Sequence, residues 1–156
     1  MHKSEQIKEE LWRQALADGH TMRYRALGGS MYPFIKNGNI LTIKPGGRAF
    51  VGDVIVCEGK NSIVTHRVIH KKSVHGKTLI VTKGDNLKHP DPLVSPWNIL
   101  GKVVKMENGV REVRMDSFFR RCLNYAIAIA SPVFLPIFVS FLRKIRGMIF
   151  RHHRLT

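Results

Sequence analysis

The chain has 156 residues, enough for one domain with a modest core. Lys and Arg number 26 against 11 Asp and Glu, a formal net charge of +15, which favours an anionic partner and by itself says nothing about catalysis. The two cysteines, Cys57 and Cys122, argue against a disulfide framework and show no metal spacing, and residues 1–20 are charged and lack the apolar run of a secretory signal.

Residues 4–18 read as an amphipathic helix, with Ile7, Leu11 and Ala15 at helical spacing beside Trp12 and Leu16. Ser4 is a candidate cap and Gly19 a candidate stop, and the helix is expected to cover one edge of the domain. From 21 to 116 the texture changes to short strands: 22–27, 39–44, 53–57, 62–70, 78–83, 99–106 and 110–115. Turn signals separate them, among them Gly28-Gly29, Pro45-Gly46-Gly47, Gly59-Lys60-Asn61, His75-Gly76 and Asn108-Gly109, the last a hairpin signal. Cys57 lies in an apolar run and reads as core. This alternation predicts a mainly β domain, barrel-like or a folded sheet.

Residues 117–156 form a third unit. They hold seven cations and no acid, leaving +8 for the first 116 residues. Within them, Cys122 to Leu142 is 21 residues without a charge, near the thickness of a bilayer core if helical. Pro132, Pro136 and Asn124 weaken a straight spanning helix, so the segment spans, lies in the interface or packs as a soluble helix. In the first two cases the protein is membrane-associated, which is the expectation, with lipid contacted through residues 117–156. The arginines beyond Leu142 favour a cytoplasmic tail.

Three segments carry chemistry. In Gly28-Gly29-Ser30-Met31-Tyr32-Pro33, the glycines let the chain turn sharply and expose a hydroxyl that needs a base to become a nucleophile. In Ile63-Val64-Thr65-His66-Arg67-Val68-Ile69-His70, the period of two puts His66 on a face with Val64 and Val68, a partly desolvated setting that suits a general base. The third runs from Val81 through Lys83-Gly84-Asp85-Asn86 to Asp91, a strand end and polar turn whose acids could orient a histidine. Each alone is also a plain turn or a core histidine; the three in order are more specific.

Together with Gly38-Asn39, Val51-Gly52-Asp53-Val54-Ile55-Val56 and Leu100-Gly101-Lys102-Val103, these blocks resemble the signal peptidase family, within the wider group that includes the self-cleaving SOS repressors. The resemblance runs from about Ala26 to Val104 and implies that folded β-sheet domain, here with an N-terminal amphipathic and a C-terminal hydrophobic helix. Bacterial members place a lysine where His66 stands; the endoplasmic-reticulum and archaeal branch places a histidine. The resemblance therefore implies a serine endopeptidase that trims leader or signal segments from precursors, with Ser30 as nucleophile and His66 as base. Asp91 matches that branch's spacing for the supporting acid, and Asp85 is the reserve. Small residues before the cut are implied as well. Gly28 stands where some relatives add a serine hydroxyl to the oxyanion site, and Asn39 replaces the usual Asp of a turn.

Two other readings compete. A self-cleaving regulator needs a DNA-binding domain and a linker ahead of the nucleophile, and only 29 residues precede Ser30. A non-catalytic basic β-domain binding anionic lipid or nucleic acid fits the charge, but no aromatic platform is interleaved with the cations, so nucleic acid is not expected. His70, His75, His89, His152 and His153 show no ligand spacing, and no metal or cofactor is expected.

Overall fold

The computed structural model describes residues 2–59, 63–109 and 111–130. Helix α1, His2–Ala17, precedes the strands β1 (Met22–Arg25), β2 (Ile40–Pro45), β3 (Val54–Glu58), β4 (Ile63–Val74), β5 (Lys77–Lys83), β6 (Ile99–Asn108) and β7 (Arg111–Arg114); helix α2, Phe118–Ala130, follows them. A single 3-10 turn, Pro96–Asn98, leads into β6.

All seven strands join one antiparallel sheet in the order β1-β2-β6-β3-β4-β5, with β7 also on β6. Strand β6 is the spine. One edge pairs with β2; the other pairs first with β3 (Ile55↔Lys102 to Cys57↔Ile99) and then with β7 (Lys105↔Arg114 onward). Gly101 is required at the crossing, because a Cβ there would come within 2.6 Å of both the Ile43 side chain and the Lys44 carbonyl. The β4–β5 hairpin closes through His75-Gly76, both at positive φ, as its turn signal predicts. Pairing of β6 with β7 runs to Asn108↔Arg111, so that connection falls one residue later than the Asn108-Gly109 signal.

Alternation along β3 divides the core. Val54 and Val56 join Leu16, Met31, Leu41 and Ile43 on one face, while Ile55 and Cys57 join Ala49, Val68, Ile80 and Val94 on the other. Cys57 is thus core, as its apolar run predicts.

The expected α1 stripe is only partly the buried one. Ile7 and Leu11 stand exposed; the helix docks through Leu16 and through Trp12, whose ring meets Tyr24 edge-on at 4.8 Å. Two stripes one residue apart compete on this helix, and the Trp12–Leu16 pair, four residues apart, buries more area. Gly19 at φ 85 ends it, with His20 N–H donating to Ala15 O and Gly19 N–H to Leu16 O.

Helix α2 starts at Phe118, four residues before the uncharged run begins. It seats on the loop before β3 so closely that a Cβ on Gly52 would lie 2.7 Å from the Tyr125 nitrogen. Asn124, Ile127 and Ala128 are buried. Among the described residues no helix is long and apolar enough to cross a membrane. The remainder of the expected hydrophobic helix, 131–142, lies outside the described residues.

Candidate active site

The register of β3, β4 and β5 decides where the key side chains point. His66 pairs with Ile55 and Arg67 with Val54, so His66 faces the Ile55–Val68 cluster and Arg67 faces the opposite side. A register shift in the β4–β5 ladder between Val68 and His70 adjusts the pairing beyond this point.

On its face His66 is 7% exposed, and its Nδ1 lies 2.6 Å from Asp91 Oδ2. The same carboxylate oxygen accepts from Thr82 Oγ1 at 2.8 Å, and the Asp91 N–H donates to Thr82 O at 2.8 Å. Asp91 is therefore held at side chain and backbone by one residue of β5. With Nδ1 donating to the carboxylate, Nε2 is left as the acceptor of a proton. Cys57 shares this face, and burial pushes its thiol up to about 12, with the charges of Asp91 and Glu58 adding to the rise.

On the opposite face Arg67 and Asp85 are both fully buried. Arg67 Nε and Nη2 each donate to Asp85 at 2.8 Å, its Nη1 donates to Gly52 O at 3.0 Å, and its guanidinium stacks 5.8 Å from the Phe34 ring centre. Asp85 is thus committed to Arg67. Of the two acids expected near the histidine, Asp91 is the one that reaches it.

Ser30 is carried by the turn after β1. Gly28, at φ 81, gives its N–H to Asn37 Oδ1 at 3.2 Å, and Tyr32 N–H and Ile35 N–H donate to Gly29 O and Met31 O. Met31 and Ile35 anchor the turn in the core, and Tyr32-Pro33 is cis. This turn is pinned to the end of β5. Asn86 N–H donates to Ser30 O at 2.7 Å, Asn86 Nδ2 donates to Gly29 O at 3.1 Å, and a Cβ on Gly84 would sit 2.8 Å from Ser30 O. Lys83 laces the same turn, donating to Gly84 O and Leu87 O at 3.2 and 2.8 Å; burial lowers its ammonium pKa, against the opposing pull of Asp85 and Asp91.

The structure thus joins His66 to Asp91 and brings the Ser30 main chain to the turn that follows Lys83, the residue paired with Arg67. It does not join Ser30 to His66 by a hydrogen bond. Free active sites often hold such contacts open until substrate binds. Among the described residues, the N–H of Ser30 donates to no other protein group. Asn39 is a turn residue, as expected: its Oδ1 accepts from Lys36 N–H at 2.8 Å. Sequence reasoning missed the roles of Thr82, Lys83 and Asn86. Their signal was present in the block Thr82-Lys83-Gly84-Asp85-Asn86, where only the acid had been given a task.

Residues 2–104 match the family model described as Peptidase S24-like. The chain belongs to that family. It is 37% identical over 81 residues to the signal peptidase complex catalytic subunit SEC11 of Candida tropicalis, covering 49% of each chain. The subunits of the same name from Clavispora lusitaniae (38% over 74 residues; 46% of this chain, 45% of the relative) and Scheffersomyces stipitis (35% over 81; 49% of each) are similarly close. The chain spans about half the length of these curated relatives. No solved structure matches.

Proposed function

We propose that the protein is a serine endopeptidase of the signal-peptidase kind, acting on leader or signal segments of membrane-associated or secreted precursors. The observation that carries this reading is the 2.6 Å contact of His66 Nδ1 with Asp91 Oδ2, in a chain whose Gly28–Ser30 turn is tied to the neighbouring strand end. Similarity to SEC11 catalytic subunits supports it independently.

In this mechanism Ser30 Oγ attacks the scissile carbonyl carbon while His66 Nε2 takes its proton. Asp91 holds the ring in that tautomer and stabilises the imidazolium. The tetrahedral oxyanion is met by the Ser30 N–H, which donates to no other group among the described residues. The C–N bond then breaks, His66 returns the proton to the leaving amine, and an acyl-enzyme remains. Water, deprotonated by His66, releases it. The Arg67–Asp85 pair touches no reacting atom in this scheme and acts as scaffold. Small residues before the cut are the proposed preference, and residues 117–156 are the proposed link to a membrane.

The test uses the full chain in detergent with peptides spanning a leader cleavage junction. Cleavage after a small residue, lost in Ser30→Ala and in His66→Ala, is the expected result. Equal cleavage by Ser30→Ala and the parent chain would refute the assignment.

A further inference from the structure

One cluster of side chains plays no part in the proposed chemistry. The half-exposed Phe50 ring, on the loop before β3, has four cations around it. Lys71 Nζ lies 5.1 Å from its centre, Lys102 Nζ and the Arg121 guanidinium 5.4 Å, and the Arg48 guanidinium 5.5 Å. These residues come from three strands or loops and from α2, so the fold assembles them. Lys102 is neutralised by Asp53 at 2.7 Å. Among the described residues, no carboxylate lies within ion-pair reach of Arg48, Lys71 or Arg121.

Arg121 links this cluster to the outer side of α2. Phe50 shares a cleft with Arg121, Cys122 and Tyr125. From there the helix turns an apolar side to solvent: Phe119 is 81% exposed and Ile129 60%, with Leu123 and Tyr125 also exposed. Like-charged cations gathered around an exposed phenyl ring, continuous with a bare apolar helix side, match the two layers of an anionic membrane surface, headgroups outside and acyl chains beneath. The family match ends at residue 104, so α2 lies beyond it.

We propose that Arg48, Phe50, Lys71 and Arg121, with the outward side of α2, form a contact surface for an anionic lipid bilayer. The proposal rests on the reading that residues 117–156 bring the chain to a membrane, and adds that the sheet domain itself reads the headgroup charge. The surface would hold the β domain against the bilayer instead of leaving it free on a tether.

Flotation of the full chain tests this, with vesicles of phosphatidylcholine alone and of phosphatidylcholine and phosphatidylglycerol in equal parts. Arg48→Gln with Lys71→Gln should weaken binding to the anionic vesicles about thirtyfold, roughly fivefold per cation, and leave binding to phosphatidylcholine unchanged. Phe119→Ser with Ile129→Ser should weaken binding to both. Unchanged anionic binding by the Arg48/Lys71 variant would overturn the surface while leaving the membrane reading intact. A parent chain that floats with neither vesicle would remove the membrane reading and the surface together. So would a chain that ignores both vesicles yet retains single-stranded RNA, or pairs with a second copy through Phe119.

Discussion

At two consecutive residues of β4, the opposite faces of the sheet hold similar chemical pairs and differ in their exposure to solvent. Arg67 and Asp85 are both fully buried, in bidentate contact and further tied to Gly52 O. His66 and Asp91 are joined by one contact, and the Asp91 side chain keeps 19% of its surface in solvent. A fully buried ion pair cannot exchange protons with a substrate; removing either partner strands a charge. A histidine with one nitrogen held and the other free can. The contrast teaches that, six residues apart, Asp85 is committed to Arg67 while Asp91 is left for His66, the residue to which the proposed chemistry assigns the base.

Mutations that interchange these roles would break the comparison. The largest expected effect is on rate. Asp91→Asn should lower kcat/KM on a leader peptide by about 10⁴-fold by favouring the wrong histidine tautomer, with a thermal midpoint within a few degrees of the parent. Next comes stability. Asp85→Asn leaves the Arg67 charge without a counter-charge and should cost about 3–5 kcal/mol in denaturant unfolding. If Asp85→Asn instead folds normally and loses only activity, the two faces do not divide the labour as described.

A smaller effect sharpens the comparison. Thr82→Val removes a donor to Asp91 while keeping the shape of the side chain. Loss of one hydrogen bond to a carboxylate should lower kcat/KM roughly tenfold, seen as a fall in kcat with little change in KM.

The smallest effect concerns Cys57. With its thiol raised to about 12, the thiolate fraction at pH 8 is about one in ten thousand. Titration of the folded protein with a disulfide reagent should therefore label the exposed Cys122 and leave Cys57 unreacted until denaturant is added. The raised value also fixes the sign of its pH linkage: its contribution to stability is complete below the unfolded thiol's titration and is lost as pH climbs towards 12.

Much of this was legible in the residues. Glycine turns marked the strand ends, and ordered motif blocks pointed to Ser30, His66 and the Asp85–Asp91 turn. The choice between the two acids was legible only through the family resemblance, which put Asp91 first and Asp85 in reserve. The strand period alone puts His66 and Arg67 on opposite faces; which acid each face meets depends on the register of β4 on β3 and β5, and no local pattern encodes that pairing. Ile7 and Leu11 misled for a related reason: helical period identifies a stripe, while the packing surface supplied by Tyr24 and the sheet decides which stripe is buried. Thr82 lay inside a motif block, but its role was not legible because that role is a reach across to Asp91, nine residues on.

The most direct measurement is intact-mass and peptide mapping after treatment with a serine-reactive phosphonate. The account predicts a single adduct on Ser30 that disappears in His66→Ala while the fold, followed by its thermal transition, is retained. An adduct that forms equally fast in His66→Ala, or that maps to a residue other than Ser30, would contradict it.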